Sequence, residues 1–180
     1  FSGLKVAYPM PDKSADSKLM AIKLFKGNRE SSRFYSDRSG EIERALRFLH
    51  IPSDTSQPGV PQNNAVAERL VQDVLEGTCT SLLRAGLPPC FWDFACQHYF
   101  LMENIIARRK SDPSDGRPIS PWELTHGEPF YGQLIACGAT VYFKPSDTKS
   151  DSLSNMEPTS ITGICVGYEL MSGYKGVKFI

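Results

Sequence analysis

Tyr35-Ser36-Asp37-Arg38-Ser39-Gly40-Glu41 is the stretch that indicates the fold. Residues 33–36 read as a short strand, and apolar residues at helical spacing follow from residue 41 to about residue 49. Asp37 is therefore expected at the carboxyl end of a strand, where layered α/β folds usually bind their ligands. This place makes its carboxylate a candidate ligand for a hard divalent cation.

A second polar phrase, Pro61-Gln62-Asn63-Asn64-Ala65-Val66-Ala67-Glu68-Arg69, stands at the start of a long helical pattern from about residue 64 to residue 84. Two carboxylates that converge from separate elements suit Mg²⁺, which prefers oxygen ligands and leaves positions open for substrate phosphates. Each acid also has a plainer interpretation. Asp37 would serve as a turn or cap residue, and Glu68 as a first-turn acid favoured by the helix dipole.

The order of predicted elements is strand, helix, strand, helix, loop and long helix, which indicates an α/β layered domain. The first strand is expected at residues 4–10 and the first helix from residue 14 or 16 to about residue 25. A very apolar helix is expected at residues 90–109, with Trp92 in the core, and a short helix is expected after a cap at Ser120. Strands at residues 139–143, 161–168 and 174–180 would form a small all-β tail.

Composition sets broad limits on the protein. The 180 residues are 41% hydrophobic with zero formal net charge, which is enough for one ordinary domain and a small appendage. No segment approaches the roughly 20 apolar residues of a membrane span, and no signal peptide is expected. Lys and Arg outnumber Asp and Glu in residues 1–50, which is compatible with nucleic-acid contact. Because the chain does not begin with Met, we expect a piece of a larger protein.

Read together, the two phrases resemble the integrase core of copia-type retrotransposons. In that family an Asp lies in a phrase like S-D-x-G-G-E-F, and a later Glu lies in a phrase like T-P-Q-Q-N-G-V-A-E-R. Four further motifs resemble the family in the same order and extend the resemblance over nearly the whole chain. They are Leu87-Pro88-Pro89-Cys90-Phe91-Trp92, Ser120-Pro121-Trp122-Glu123-Leu124 with Gly127, Leu134-Ile135-Ala136-Cys137-Gly138-Ala139-Thr140-Val141-Tyr142, and Gly163-Ile164-Cys165-Val166-Gly167-Tyr168.

The resemblance implies a ribonuclease-H-like mixed sheet with flanking helices, followed by a small all-β SH3-like region. It places an integrase catalytic core that lacks its first strand at residues 1–110. A linker with a short helix would occupy residues 111–132, and the SH3-like region residues 133–180.

The resemblance also implies an activity, that of a DDE-type polynucleotidyl transferase. Two Asp and one Glu would hold two Mg²⁺ or Mn²⁺ ions for DNA 3′-end processing and strand transfer. Asp37 would be the second carboxylate of this triad and Glu68 the third. Asn64 and Arg69 are candidate DNA contacts, although Asn64 would equally suit a helix cap and Arg69 an ion pair. Expected partners are the element ends, target DNA and further copies of the chain, in the nucleus and cytoplasm, without a membrane or secretion.

Three departures from the family keep other functions open. The first Asp of the triad would precede Phe1, so the chain alone is expected to be inactive. The interval between Asp37 and Glu68 is several residues shorter than usual, and Ala65 replaces a Gly that would tolerate a positive φ. A catalytically dead relic or co-opted nucleic-acid-binding domain is the first alternative. A structure-selective nuclease is the second, and the C-terminal motifs disfavour it.

Overall fold

The computed structural model describes residues 2–31, 33–36, 39–55, 65–107, 110–111, 116–144, 160–169 and 176–180. Two compact units emerge from the contacts, residues 6–73 and residues 1–5 with 74–180. The division falls within one long helix. The predicted domain boundaries at residues 110 and 132 stay a prediction, because compactness does not identify family domains.

From the first helix onward, the described helices follow the predicted order, with short strands between them. The helices are α1 (Ala15–Lys26), α2 (Gly40–Phe48), α3 (Ala65–Ala85), α4 (Trp92–Ile106) and α5 (Pro121–His126), with a 3₁₀ turn at Pro89–Phe91. The strands are β1 (Phe34–Ser36), β2 (Ser53–Thr55), β3 (Lys110–Ser111), β4 (Pro118–Ile119), β5 (Thr140–Phe143), β6 (Ile161–Glu169) and β7 (Gly176–Phe179). None of the helices in the described part of the chain has the length and apolar character to cross a membrane.

The predicted strand at residues 4–10 is wrong. Residues 2–10 form neither strand nor helix. The reason lies at Lys5, whose N–H donates to Asn104 Oδ1 at 2.9 Å and whose carbonyl accepts from Asn104 Nδ2 at 2.6 Å. The buried side-chain amide of Asn104 in α4 thus takes both backbone hydrogen bonds of Lys5, which in a sheet would go to a neighbouring strand.

The unit of residues 6–73 is built on the packing of α1 against α2. Ser14, one of the two residues at which the sequence allows the helix to start, caps α1 by accepting a hydrogen bond from the Ser17 N–H at 3.2 Å. The core consists of buried side chains from both helices and from the turn that follows α2: Ile22, Ala45, Leu46 and Ile51. Strand β1 pairs in parallel with β2, so both strands end at the same edge, where Ser36 stands opposite Thr55.

The unit of residues 74–180 is organised around α4, which is buried along most of its length. Its buried residues are Ala95, Cys96, His98, Phe100, Leu101, Asn104 and Ile105. The prediction that Trp92 lies in the core is wrong: Trp92 is the first residue of α4 and is 51% exposed, and the buried face starts one turn later. Trp122 of α5 is half-buried and packs against the cluster formed by Leu101, Ile105 and Tyr168.

The tail contains a three-stranded antiparallel sheet in the order β5-β6-β7. Its strands lie where the alternation of apolar residues predicts them. A bulge between Cys165 and Gly167 interrupts the β6–β7 register, which bends the strand locally. Cys165 and Val166 are buried and Tyr142 is exposed, so this sheet carries the small apolar core of the tail.

Candidate metal and nucleic-acid site

The candidate ligand Asp37 is bracketed by two described elements. Ser36 is the last residue of β1, and Ser39 is the N-cap of α2. Asp37 itself lies outside the described residues, and so does Asn64. A strand thus ends before Asp37 and a helix begins after it, while the position of Asp37 stays a prediction.

The hydroxyl of Ser36 lies directly before the candidate ligand in sequence. Its Oγ is buried and has no hydrogen-bond partner among the described residues. A buried hydroxyl without a partner costs about 1–3 kcal/mol, so this strand end is a place where a further polar group is expected. Carboxylate and hydroxyl oxygens are the donor type that Mg²⁺ and Mn²⁺ accept, so the residue types here fit the expected ions.

A polar cluster joins α1 to the start of α2, on the helix side of Asp37. Lys18 Nζ donates to Ser39 Oγ at 2.9 Å and contacts Glu41 Oε2 at 3.4 Å. Ser39 Oγ donates to Glu41 Oε2 at 2.7 Å. The Ser39 hydroxyl makes no hydrogen bond to the helix backbone, although it stands at the N-cap. Glu41 is thus an exposed residue of α2 that pairs with Lys18.

The charge of Glu41 is held firmly by this cluster. The hydrogen bond from Ser39, the bond from its own backbone N–H and the Lys18 ammonium lower the pKa of Glu41 from 4.5 to about 2. Glu41 therefore stays ionised at any physiological pH and remains a partner for the Lys18 ammonium.

Glu68 lies in the first turn of α3 and is exposed, with Arg69 exposed beside it. An acid in this turn is favoured by the helix dipole. Ala65, which replaces the family glycine, is the first residue of the helix. The one non-glycine residue with positive φ in the described part of the chain is His50. Ala65 is therefore unstrained, and the concern raised by this replacement is removed.

The structure describes the positions of Glu68 and Arg69. The distance between the carboxylates of Glu68 and Asp37 stays a prediction. Among the described residues, no group of three or more His, Cys, Asp or Glu side chains is arranged to hold a metal ion. That finding does not cover Asp37, which lies outside the described residues. The predicted pair of Mg²⁺ or Mn²⁺ ions stays a prediction.

A second polar arrangement in the unit of residues 74–180 was not foreseen from the sequence. Tyr168 Oη accepts from the Ile135 N–H at 2.7 Å and donates to the Gln133 carbonyl at 2.8 Å. His98 Nε2 lies 2.9 Å from the Ile135 carbonyl and donates to it, since a carbonyl oxygen only accepts. The one sequence signal was that Tyr168 ends the motif Gly163-Ile164-Cys165-Val166-Gly167-Tyr168.

A small cavity adjoins His98 and Tyr168. It has a volume of about 30 Å³ and is also lined by Gln97 and Lys178. This volume suits about one water molecule, because a cavity needs about 10–15 Å³ to admit one. The arrangement therefore serves packing of the tail and has no room for a nucleotide.

Comparisons with known proteins identify relatives of the chain. It is 29% identical over 146 residues to the retrovirus-related Pol polyprotein from transposon TNT 1-94 of Nicotiana tabacum, a match that covers 78% of the chain and 10% of that relative. It is 30% identical over 143 residues to the retrovirus-related Pol polyprotein from transposon RE1 of Arabidopsis thaliana, covering 75% of the chain and 9% of the relative. The chain thus spans about a tenth of the length of these relatives. No family model matches it.

Comparison with solved structures gives two matches of different strength. The simian T-cell lymphotropic virus intasome, in complex with the PP2A regulatory subunit B56 gamma, matches with a TM-score of 0.54 and 14% identity, covering 100% of this chain and 66% of that one. The catalytic core domain of BIV integrase matches with a TM-score of 0.46 and 21% identity, covering 68% and 78%. The chain is a relative of a segment of the retrovirus-related Pol polyproteins of transposons and shares the fold of a retroviral intasome chain, which confirms the predicted relationship to retrotransposon integrases.

Proposed function

We propose that the chain is part of a copia-type integrase that carries out metal-dependent DNA 3′-end processing and strand transfer in its intact parent. The observation that carries the proposal is the place of Glu68. It stands exposed in the first turn of the 21-residue helix α3, within the phrase that resembles the family. An exposed acid at this position is open to a metal ion and to DNA, whereas a buried or ion-paired acid would serve the core.

The proposed chemistry needs carboxylates from separate elements. Asp37 would approach from the end of β1 and Glu68 from the start of α3, and a further Asp would complete the triad. When bound, two Mg²⁺ or Mn²⁺ ions activate the attacking water or 3′-hydroxyl and stabilise the leaving oxygen. Arg69, exposed beside Glu68, is suited to neutralise a DNA phosphate. Asn64 is proposed to contact DNA next to it or to cap α3.

The proposal extends to partners and to the tail. Element ends and target DNA are the proposed substrates, and further copies of the chain are the proposed partners, in the nucleus and in the cytoplasmic retrotransposon particle. The three-stranded sheet β5-β6-β7 supports the assignment of residues 133–180 to an SH3-like region, since it supplies three antiparallel strands with a buried face.

The proposal is tested by substituting Glu68 in the full-length parent. Glu68→Gln keeps the size of the side chain and removes its charge, so Mg²⁺-dependent strand transfer should fall to background. Glu76→Gln is the matched control, because Glu76 is also an exposed acid of α3 but lies two turns further along. Undiminished transfer by Glu68→Gln would overturn the assignment. A wild-type parent that binds DNA in EDTA and joins no strands would instead be a co-opted binding domain.

A further inference from the structure

Two cysteines meet where the segment before β5 joins the sheet of the tail. Cys165 lies in β6 and is fully buried, whereas Cys137 lies in the turn before β5 and is half-buried. Both are free thiols. Neither has a part in the function proposed above, so the pair is a separate chemical feature of the unit of residues 74–180.

The backbone brings these two cysteines to neighbouring positions. The Gly138 N–H donates to the Cys165 carbonyl at 2.8 Å, and the Cys165 N–H donates to the Ala139 carbonyl at 2.9 Å. Gly138 and Ala139 thus stand opposite the single residue Cys165, which is the arrangement of a β-bulge that begins with a glycine. Gly138 has the positive φ that this bulge needs, 79°. Cys137 is the residue directly before the bulge.

A tight turn holds Cys137 at this place. The Ala139 N–H donates to the Ala136 carbonyl at 3.1 Å, which closes a β-turn with Cys137 in its second position. The end of α3 packs on the same turn, because a Cβ at Gly138 would lie 2.3 Å from the Cβ of Ala85. Turn, bulge and helix together therefore keep Cys137 beside β6.

The two side chains lie within range of a covalent bond. In a hydrogen-bonded antiparallel pair the Cα atoms are about 5.5 Å apart, and a disulfide spans Cα separations of about 4.4–6.8 Å. Cys137 is one residue away from such a pair. Burial raises the pKa of Cys137 above its ordinary value of 9.0, and the thiolate of Cys165 raises it further. This mutual repulsion shows that the two sulfur atoms lie near each other.

We propose that Cys137 and Cys165 are an oxidation site that forms an intramolecular disulfide on reaction with a low-molecular-weight disulfide, such as oxidised glutathione. The half-buried Cys137 reacts first, and its thiolate attacks one sulfur of the oxidant and releases one glutathione thiolate. The Cys165 thiolate then attacks the Cys137 sulfur and releases the second. One protein disulfide forms, the oxidant is reduced to two thiols, and the protons of both cysteines pass to those thiols.

The disulfide ties the segment before β5 to the central strand of the sheet. This segment contains Ile135, whose N–H donates to Tyr168 Oη at 2.7 Å. A covalent link two residues later restricts the opening of that bond, so the Ile135 amide proton should exchange with solvent more slowly. The link also restricts the unfolded chain, so Tm should rise. The inference is independent of the proposed function, because it involves neither Asp37 nor Glu68.

The experiment treats the folded 180-residue chain with excess oxidised glutathione, alkylates the remaining thiols and maps the disulfides by mass spectrometry of unreduced peptides. The expected result is a link between Cys137 and Cys165. The exposed Cys79 and Cys90 should instead carry glutathione. The same treatment in denaturant is the reference, since an unfolded chain favours links between cysteines close in sequence, such as Cys90 and Cys96.

Two variants connect the link to its effect on the tail. Oxidation should raise Tm and slow the Ile135 amide exchange in the wild type, and it should do neither in Cys137→Ser. Cys79→Ser is the matched control, because Cys79 is an exposed cysteine of α3 and its loss should leave both effects intact. Should Cys137→Ser fail to fold, the peptide map of the wild type decides alone.

Three results would overturn the proposal. One is glutathione on Cys137 without a link to Cys165. Another is a Cys137–Cys165 link that is equally frequent in the folded and the denatured chain, because the fold would then contribute nothing to it. The third is an unmodified Cys137 in a folded chain whose exposed Cys79 and Cys90 have both reacted.

Discussion

The rings of His98 and Tyr168 stack with their centroids 5.8 Å apart, and the two side chains together satisfy both backbone groups of Ile135. This contact joins the buried helix α4 to strand β6 and to the loop before β5. The tail is thus held to α4 by directional bonds as well as by apolar contacts. Because His98 and Tyr168 are both buried, the stability of the chain is expected to depend on single polar atoms of these side chains and on pH.

Tyr168→Phe is expected to destabilise the chain by about 1–3 kcal/mol, because it leaves the Ile135 N–H and the Gln133 carbonyl without their partner. The free energy of unfolding is measured with denaturant. Tyr142→Phe is the matched control, since Tyr142 is 74% exposed on β5 and its change should stay within about 0.5 kcal/mol. Equal effects of the two substitutions would contradict the role of Tyr168.

Stability is expected to fall on mild acidification because of His98. Burial lowers the pKa of His98 below its ordinary value of 6.5, and the bond to the Ile135 carbonyl opposes part of that shift. Below pH 6.5 the unfolded chain therefore takes up a proton that the folded chain resists. The contribution is fully favourable above pH 6.5 and is lost as the pH falls through the lower folded pKa.

Unfolding free energies are compared at about pH 7.5 and about pH 5.5, a range in which Asp12 and Glu41, each with a pKa lowered to about 2, contribute no change. His98→Gln should flatten the pH dependence. A wild-type chain that becomes more stable on acidification would contradict the burial of a neutral His98.

Gly77→Ala is expected to destabilise the chain even though Ala is the better helix former. A Cβ at Gly77 would lie 2.3 Å from the Tyr99 ring, and overpacking of this kind costs about 1–3 kcal/mol against a gain of about 1 kcal/mol from helix propensity. Gly40→Ala in α2 meets nothing within 4 Å and should be neutral or stabilising. The Tm of both variants is measured by thermal unfolding. A rise in Tm for Gly77→Ala would show that the Tyr99 ring of α4 does not pack directly against Gly77 of α3.

Asn104→Leu is expected to release the N-terminal segment, because Lys5 loses the partners of both its backbone groups. The Lys5 amide should then exchange its proton with solvent faster, and stability should fall by about 1–3 kcal/mol. Asn104→Asp keeps the acceptor for the Lys5 N–H and should retain more protection than Asn104→Leu. Unchanged exchange at Lys5 in both variants would favour the sheet pairing that the sequence predicted for this segment.

The parts of the fold that sequence reasoning predicts are those decided by local chemistry. Ser120 accepts a hydrogen bond from the Glu123 N–H and Pro121 occupies the first position of α5, as their residue types indicate. The strand predicted at residues 4–10 was wrong because the partner of Lys5, Asn104, lies 99 positions away in the sequence. No periodicity in the segment itself reports such a partner.

In the candidate site too, residues with local sequence signals were predicted and residues with distant partners were not. The phrase around Glu68 predicts its place in the first turn of α3, because helix starts carry local signals. Lys18 was missed, since a lysine on an amphipathic helix reads as solvated surface until its contact with Ser39, 21 positions later, is seen. Asp37 lies outside the described residues, so its prediction still rests on the phrase alone.

Asp37 and Glu68 are proposed to bind the same metal centre. The most direct test of this proposal is a Mn²⁺ titration of the 180-residue chain. Paramagnetic broadening of the backbone amide signals of Ser39 and Glu68 is followed in the same titration. Both signals are expected to broaden over the same Mn²⁺ range, and neither should broaden in Asp37→Asn. Broadening of the Glu68 signal that persists in Asp37→Asn, or broadening of the Ser39 signal alone, would contradict a shared site.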